Sequence, residues 1–197
     1  MGVRRILHAV TISRLFVMMA LALFATIPLQ VKADQMDSRL DDLFLRLAQT
    51  TSAAEASAAE EAIWALWMAH SDDRAQRYMF AGIGQMNDGH LHEALITFSR
   101  LVDMEPNFAE AWNKRATVYF MLHDYDASAR DIAETLKREP RHFGALSGLG
   151  LVNIALGRSH AAIAAFEMAM AHHPHLRGAR ENIKSLKSEM RERETPI

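Results

Sequence analysis

An all-α chain built from stacked helix pairs is what this sequence predicts, and three observations carry the prediction. Pro106, Pro140 and Pro174 recur at a fixed spacing of 34 residues. Sliding the chain by that interval lays Tyr78, Trp112 and Leu146 on one another, then Gly82, Ala116 and Gly150, then Ala94, Ser128 and Ala162. The same slide aligns Phe98, Ile132 and Phe166, and after them Leu101, Thr135 and Ala169. Within each period the large and small residues fall three and four apart, first in one segment and then in another, so each period is two helices. The small residues mark where the two must approach closely, because glycine inside a lone helix costs about 1 kcal/mol against alanine.

Taken in order, the chain opens on a basic start, Arg4, Arg5 and Arg14, followed by an apolar run from Leu15 to Ile27 interrupted only by Thr26. Pro28 breaks the run ahead of Val31-Lys32-Ala33. This is the layout of a secretory signal peptide over residues 1–33, with cleavage after Ala33 and a periplasmic or secreted product. The run is shorter than the roughly 20 residues that span a bilayer. The other reading is an uncleaved inner-membrane anchor over residues 15–31. Removing residues 1–33 takes away four basic residues and no acidic ones, leaving 18 Lys+Arg against 24 Asp+Glu. A mildly acidic chain lacks the basic face that a nucleic-acid partner requires.

Residues 34–74 are expected to form a helical N-terminal cap. Leu40, Leu43, Phe44 and Leu47 make one apolar stripe behind Asp37 or Ser38 as N-cap, and an alanine-rich stretch finishes in Ile63, Trp64, Leu66 and Trp67. The 34-residue frame carried backwards puts Phe44, Ala48 and Trp64 on recurrent positions but Glu60 where a small residue belongs, so this is a degenerate repeat. Its tryptophans are expected to pack under the first full repeat. Repeats follow at 75–108, 109–142 and 143–176. Gly89 and Gly157 stand at the turn between paired helices, where a left-handed residue ends a helix. His123 takes that place in the middle repeat, a departure from the pattern. Each proline ends a second helix. Over 177–197, Ala179, Ile183, Leu186 and Met190 share one face with charges elsewhere, as a terminal capping helix requires.

The recurrent large residue, small residues, aromatic and closing proline resemble the tetratricopeptide repeat (TPR) family. The wider layout, with Leu43-Phe44-Leu45, Ile63-Trp64-Ala65-Leu66-Trp67 and Arg141-His142-Phe143-Gly144-Ala145-Leu146-Ser147-Gly148 behind a signal peptide, resembles small exported TPR proteins of alphaproteobacteria. The resemblance implies a right-handed α-solenoid whose first helices line a concave face. Carried over, that face holds Gln76, Met79, Ile83, Met86 and Asn87 from the first repeat. The second contributes Glu110, Asn113, Thr117, Phe120 and Met121, and the third Gly144, Ser147, Leu151, Ile154 and Ala155. The basic residues and asparagines with which some TPR domains clamp a carboxylate are replaced by Met79, Ile83, Thr117 and Leu151.

Enzymatic chemistry finds no support in the motifs. There is no Gly-x-Ser-x-Gly, no phosphate-cradling glycine loop and no His-Glu-x-x-His. The absence of cysteine removes disulfides, thiolate catalysis and cysteine-based zinc sites together. Ten histidines raise the question of a metal. In the repeat frame His90, His92, His123 and His160 fall near the turns, and His142, His172, His173 and His175 at the junctions between repeats, so they are expected along two solvated edges. The sequence therefore points to no catalytic residue, no cofactor and no metal site. The expected role is an interaction scaffold, with an apolar segment of another envelope or periplasmic protein held in the groove by adaptable methionines. Asn87 and Asn113 are candidates to hydrogen-bond its backbone. Two other readings stay open: a homo-oligomeric structural element whose groove is self-filled, and a metal binder using the histidine edges. Contact with a membrane is expected only through an uncleaved N-terminal segment.

Overall fold

A computed structural model describes residues 37–194, so the expectations for the leader lie outside the described residues. Among those residues there are nine helices and no strand. They are α1 (Arg39–Gln49), α2 (Ala53–Met68), α3 (Asp73–Asn87), α4 (Leu91–Met104), α5 (Ala109–Met121), α6 (Tyr125–Arg138), α7 (Phe143–Ala155), α8 (Ser159–His172) and α9 (Arg177–Glu194). The second helices α4, α6 and α8 each stop two residues before a recurrent proline. Within each period the pair packs closely, α3 on α4, α5 on α6 and α7 on α8.

Local chemistry explains most of the helix starts. Asp72 and Asp124 accept from the N–H groups of Ala75 (2.8 Å) and Ala127 (3.0 Å), side-chain caps for orphan donors. At α1 the expected cap is divided: Ser38 holds the N-cap position without a side-chain bond, and Asp37 accepts from the Arg39 N–H at 2.9 Å. The turns between paired helices share one conformation, with φ of +80° at Gly89 and +69° at Gly157. His123 adopts it too, at +62°, so the middle turn keeps its geometry despite the different residue. Its ring lies against Tyr125, with Nδ1 2.8 Å from the hydroxyl.

The recurrent small residues sit under aromatic rings. A Cβ on Gly82 would lie 2.6 Å from the Phe98 ring, and one on Gly150 would lie 2.5 Å from that of Phe166. In the middle pair Ala116 faces the slimmer Ile132. Trp112 bridges successive pairs: its Nε1 donates to the Pro106 carbonyl (3.0 Å), and the Arg115 and Arg138 guanidiniums lie 4.9 and 4.7 Å from its ring. At the far end α9 lays Ala179, Ile183 and Leu186 over Ile163 and Phe166.

The N-terminal pair departs from expectation. Rather than stacking beneath the first repeat, α1 and α2 pack on the third: Leu40, Phe44, Leu47, Ile63 and Trp67 form one core with Phe143, Leu146 and Ala169. Where α5 turns Ala111, Val118 and Leu122 toward the preceding pair, α3 and its C-cap carry Arg77, Gly84 and Asp88 in register, and Phe80 on the same helix is left exposed.

Candidate functional site

The first helices of the three pairs touch one another, α3 against α5 and α5 against α7, and present the inner face that the sequence assigned to binding. The structure divides that face. Asn113, Thr117, Phe120, Ser147 and Leu151 line one cavity of about 210 Å³, completed by Ala116, Ser128, Ile132, Gly144 and Gly148. Met121, Leu151 and Ile154 are exposed on the same two helices. None of the lining residues is charged.

The first-repeat candidates are elsewhere. Met79 is completely buried in the core of the first pair, because its side chain fills the seam beside Phe98 and Phe108, and it lines no groove. Ile83 and Met86 lean on the same core. Gln76 is committed to the α2–α3 connection, donating to the Met68 carbonyl (3.1 Å) and accepting from the His70 N–H (2.8 Å). Asn87 is exposed at the end of α3, away from the cavity lining. One of the two amide N–H donors of Asn113 is committed to Glu110 Oε2 at 3.0 Å.

Glu110 and His142 are both fully buried, with His142 Nε2 2.8 Å from Glu110 Oε2. His142 Nδ1 accepts from the Ala145 N–H at 3.1 Å and so caps α7, which places the ring proton on Nε2, facing the carboxylate. The ring is stacked on Trp67 with centroids 4.0 Å apart. Lys114 Nζ closes the cluster, 3.0 Å from Glu110 Oε1. Burial alone would raise the Glu110 carboxyl, but the His142 hydrogen bond and the Lys114 charge outweigh it and hold it below the usual carboxylate range.

The histidines at the repeat junctions thus depart from the solvated edge expected of them. His142 and His173 are buried, and His172 and His175 are half-buried. They dock the N-terminal pair instead: His173 Nε2 lies 3.0 Å from Glu60 Oε2, His175 Nε2 lies 3.0 Å from the Thr50 carbonyl, and the His172 ring meets Phe44 edge-on. Glu60, out of place for a close-packed repeat, is the partner of His173. Arg141 adds an ion pair to Asp41 (2.6 Å). Among the described residues no group of three His, Asp or Glu is placed to hold a metal ion. Sequence reasoning missed this seam, although a carboxylate at position 110 of an otherwise apolar face was its visible sign.

A family model described as tetratricopeptide repeat matches residues 113–175. A TPR repeat-containing protein of Rhizobium etli is 30% identical over 148 residues, covering 75% of this chain and 72% of that protein. This chain belongs to the TPR family. Among solved structures, the Sgt2 TPR domain of Aspergillus fumigatus is similar with a TM-score of 0.61 at 17% identity, covering 66% of this chain and 89% of that one. The Yersinia enterocolitica type III secretion chaperone SycD, in complex with a peptide of the translocator YopD, is similar with a TM-score of 0.57 at 10% identity, covering 61% and 97%. At such identities the likeness concerns the TPR fold alone.

Proposed function

We propose that this TPR protein is a non-enzymatic interaction scaffold of the bacterial periplasm, holding an apolar segment of another protein between α5 and α7. The observation that carries the reading is the open, uncharged slot lined by Thr117, Phe120, Ser147 and Leu151. Its volume of about 210 Å³ falls below the roughly 300–1,000 Å³ of small-molecule pockets, and suits an apolar side chain of a longer ligand. Burying such an anchor contributes about 1.5–3 kcal/mol, so neighbouring contacts along Met121 and Ile154 are needed to offset the lost freedom of association. The peptide held by SycD supports a peptide as the ligand class. The periplasmic setting is supported by the basic start, the short apolar run and the Val31-Lys32-Ala33 site.

The test is to charge the slot and leave the core untouched. Met121→Lys with Leu151→Lys, both at exposed positions, should abolish capture of a partner from envelope extracts while the helical circular dichroism and thermal midpoint stay near those of the parent. Capture that survives the double change refutes the groove reading. Met79 is unsuitable for such a charge, since a lysine there would disrupt the first core. Mass spectrometry of the exported protein tests the setting, with Asp34 expected as its first residue.

A further inference from the structure

We infer that α9 lays the C-terminal end of the solenoid against an anionic phospholipid surface through a single stripe of cations. This goes beyond the groove reading, and beyond the sequence expectation, which left membrane contact to the N-terminal segment. Arg177, Arg180, Lys184, Lys187 and Arg191 are spaced alternately three and four apart, so all five share one flank of the helix along roughly 21 Å. All five are exposed. Ala179, Ile183 and Leu186, on the adjoining flank, are taken up by Ile163 and Phe166, so the stripe stands beside the buried face. On α9 the opposite charges are kept apart. Glu189 and Glu192 accept from the Ser185 (3.1 Å) and Ser188 (3.3 Å) hydroxyls on the other flank. Arg177 and Lys184 have no carboxylate partner among the described residues. Lys187 meets Glu167 of α8 at 3.0 Å, but both side chains are more than half exposed and such a pair holds weakly. Arg180 donates to the Pro174 carbonyl at 2.7 Å, which leaves its charge uncompensated.

The rest of the chain has the opposite balance. Residues 37–142 carry 11 Lys+Arg against 18 Asp+Glu, α7 carries no charge, and residues 143–194 carry 7 against 5. An anionic surface therefore repels the first two repeats and attracts the last helix. The form of the stripe selects what it meets. Its cations follow one another along the helix a turn apart, which suits an extended layer of phosphates better than one small anion. No apolar residue shares their flank, whereas the centre of an interface with another protein is apolar. A bilayer surface makes no such demand, since about four to eight Lys or Arg on one helix are drawn to anionic lipid by charge.

The test is flotation of the chain from Asp34 to Ile197, which holds every described residue, with vesicles of phosphatidylcholine alone or mixed with phosphatidylglycerol. The parent should bind the anionic vesicles at low salt, leave them at high salt and ignore the neutral ones. Arg177→Gln with Lys184→Gln should weaken binding about 30-fold, the factor for two cations at such a surface, and Arg177→Glu with Lys184→Glu should abolish it. Arg74→Gln with Arg77→Gln makes the same change in net charge at exposed positions of α3 and should leave binding within about twofold. No binding to anionic vesicles, equal binding to neutral ones, or equal losses in the α3 and α9 glutamine variants overturn the inference. Soluble poly-glutamate bound as tightly as the vesicles, with the same dependence on Arg177 and Lys184, assigns the stripe to an acidic polypeptide and overturns it as well.

Discussion

The inner seams of the solenoid and its outer N-terminal face are built from the same positions and behave in opposite ways. Ala111 and Val118 are fully buried and Leu122 is partly buried against the first pair, and Ala145, Val152 and Leu156 repeat the arrangement against the second. In α3 the register holds Arg77, Gly84 and Asp88, all exposed. A repeat ends its stack by making the stacking face polar. The difference bears on a helix pair that precedes the first repeat in sequence but does not stack its apolar stripe on it. Instead, α1 and α2 bury their stripe on the third repeat.

The strongest way to break the comparison is to give an inner seam the charge tolerated outside. Val118→Asp should cost about 3–5 kcal/mol, the range for an unpaired buried charge, and chemical denaturation should show loss of the cooperative transition, whereas Arg77→Asp should stay within about 0.5 kcal/mol. Next in size is the polar seam under α2. His142→Ala removes one partner of the buried Glu110, leaving Lys114 and Asn113, and also removes the cap of α7; it should lower stability by about 3 kcal/mol.

The same seam sets an acid limit. Burial, helped by the nearby Arg141 charge, holds His172 below the usual histidine value, and Glu110 lies below the usual carboxylate value. Both groups then bind protons more readily in the unfolded chain, so their contributions are complete at neutral pH. The first declines below about pH 6.5 and the second below about pH 4.3, as the pH falls toward the folded-state values. Thermal midpoints measured from pH 8 to 3 should fall in that order, and Glu110→Gln should flatten the lower limb.

Glycine substitutions sharpen the contrast at smaller scale. Gly150→Ala forces a methyl into the Phe166 ring and should cost about 1–3 kcal/mol. Gly84→Ala, with nothing within 4 Å of the added carbon, should gain about 1 kcal/mol from helix propensity. Both are read from denaturation midpoints. The subtlest test recreates a seam at the free end: the combined change Arg77→Ala, Gly84→Val and Asp88→Leu should leave the monomer folded and make it self-associate, seen by light scattering as a mass that rises with concentration.

The sequence made the repeats legible because each is a local object. The prolines, the Gly89 and Gly157 turns and the Gly82–Phe98 and Gly150–Phe166 partners all lie within one period, and α9 announced its buried face through Ala179, Ile183 and Leu186. Of the inner-face residues in the second and third repeats, Thr117, Phe120, Ser147 and Leu151 line the cavity. The first did not, because Met79 occupies a place that is open or closed according to how closely the next first helix approaches, which periodicity does not report.

By itself, then, the sequence determined three helix pairs, their ends and turns, and a C-terminal cover, since these follow from residues no more than one period apart. Only the tertiary structure decided where the N-terminal pair rests, which half of the inner face stays open, and that the junction histidines are buried. Those outcomes hang on contacts such as Asp41 with Arg141 and Glu60 with His173, about a hundred residues apart in the chain. The short connection after α2 limits the pair's reach, and within that reach its stripe is covered where Phe143, Leu146 and Ala169 offer apolar partners.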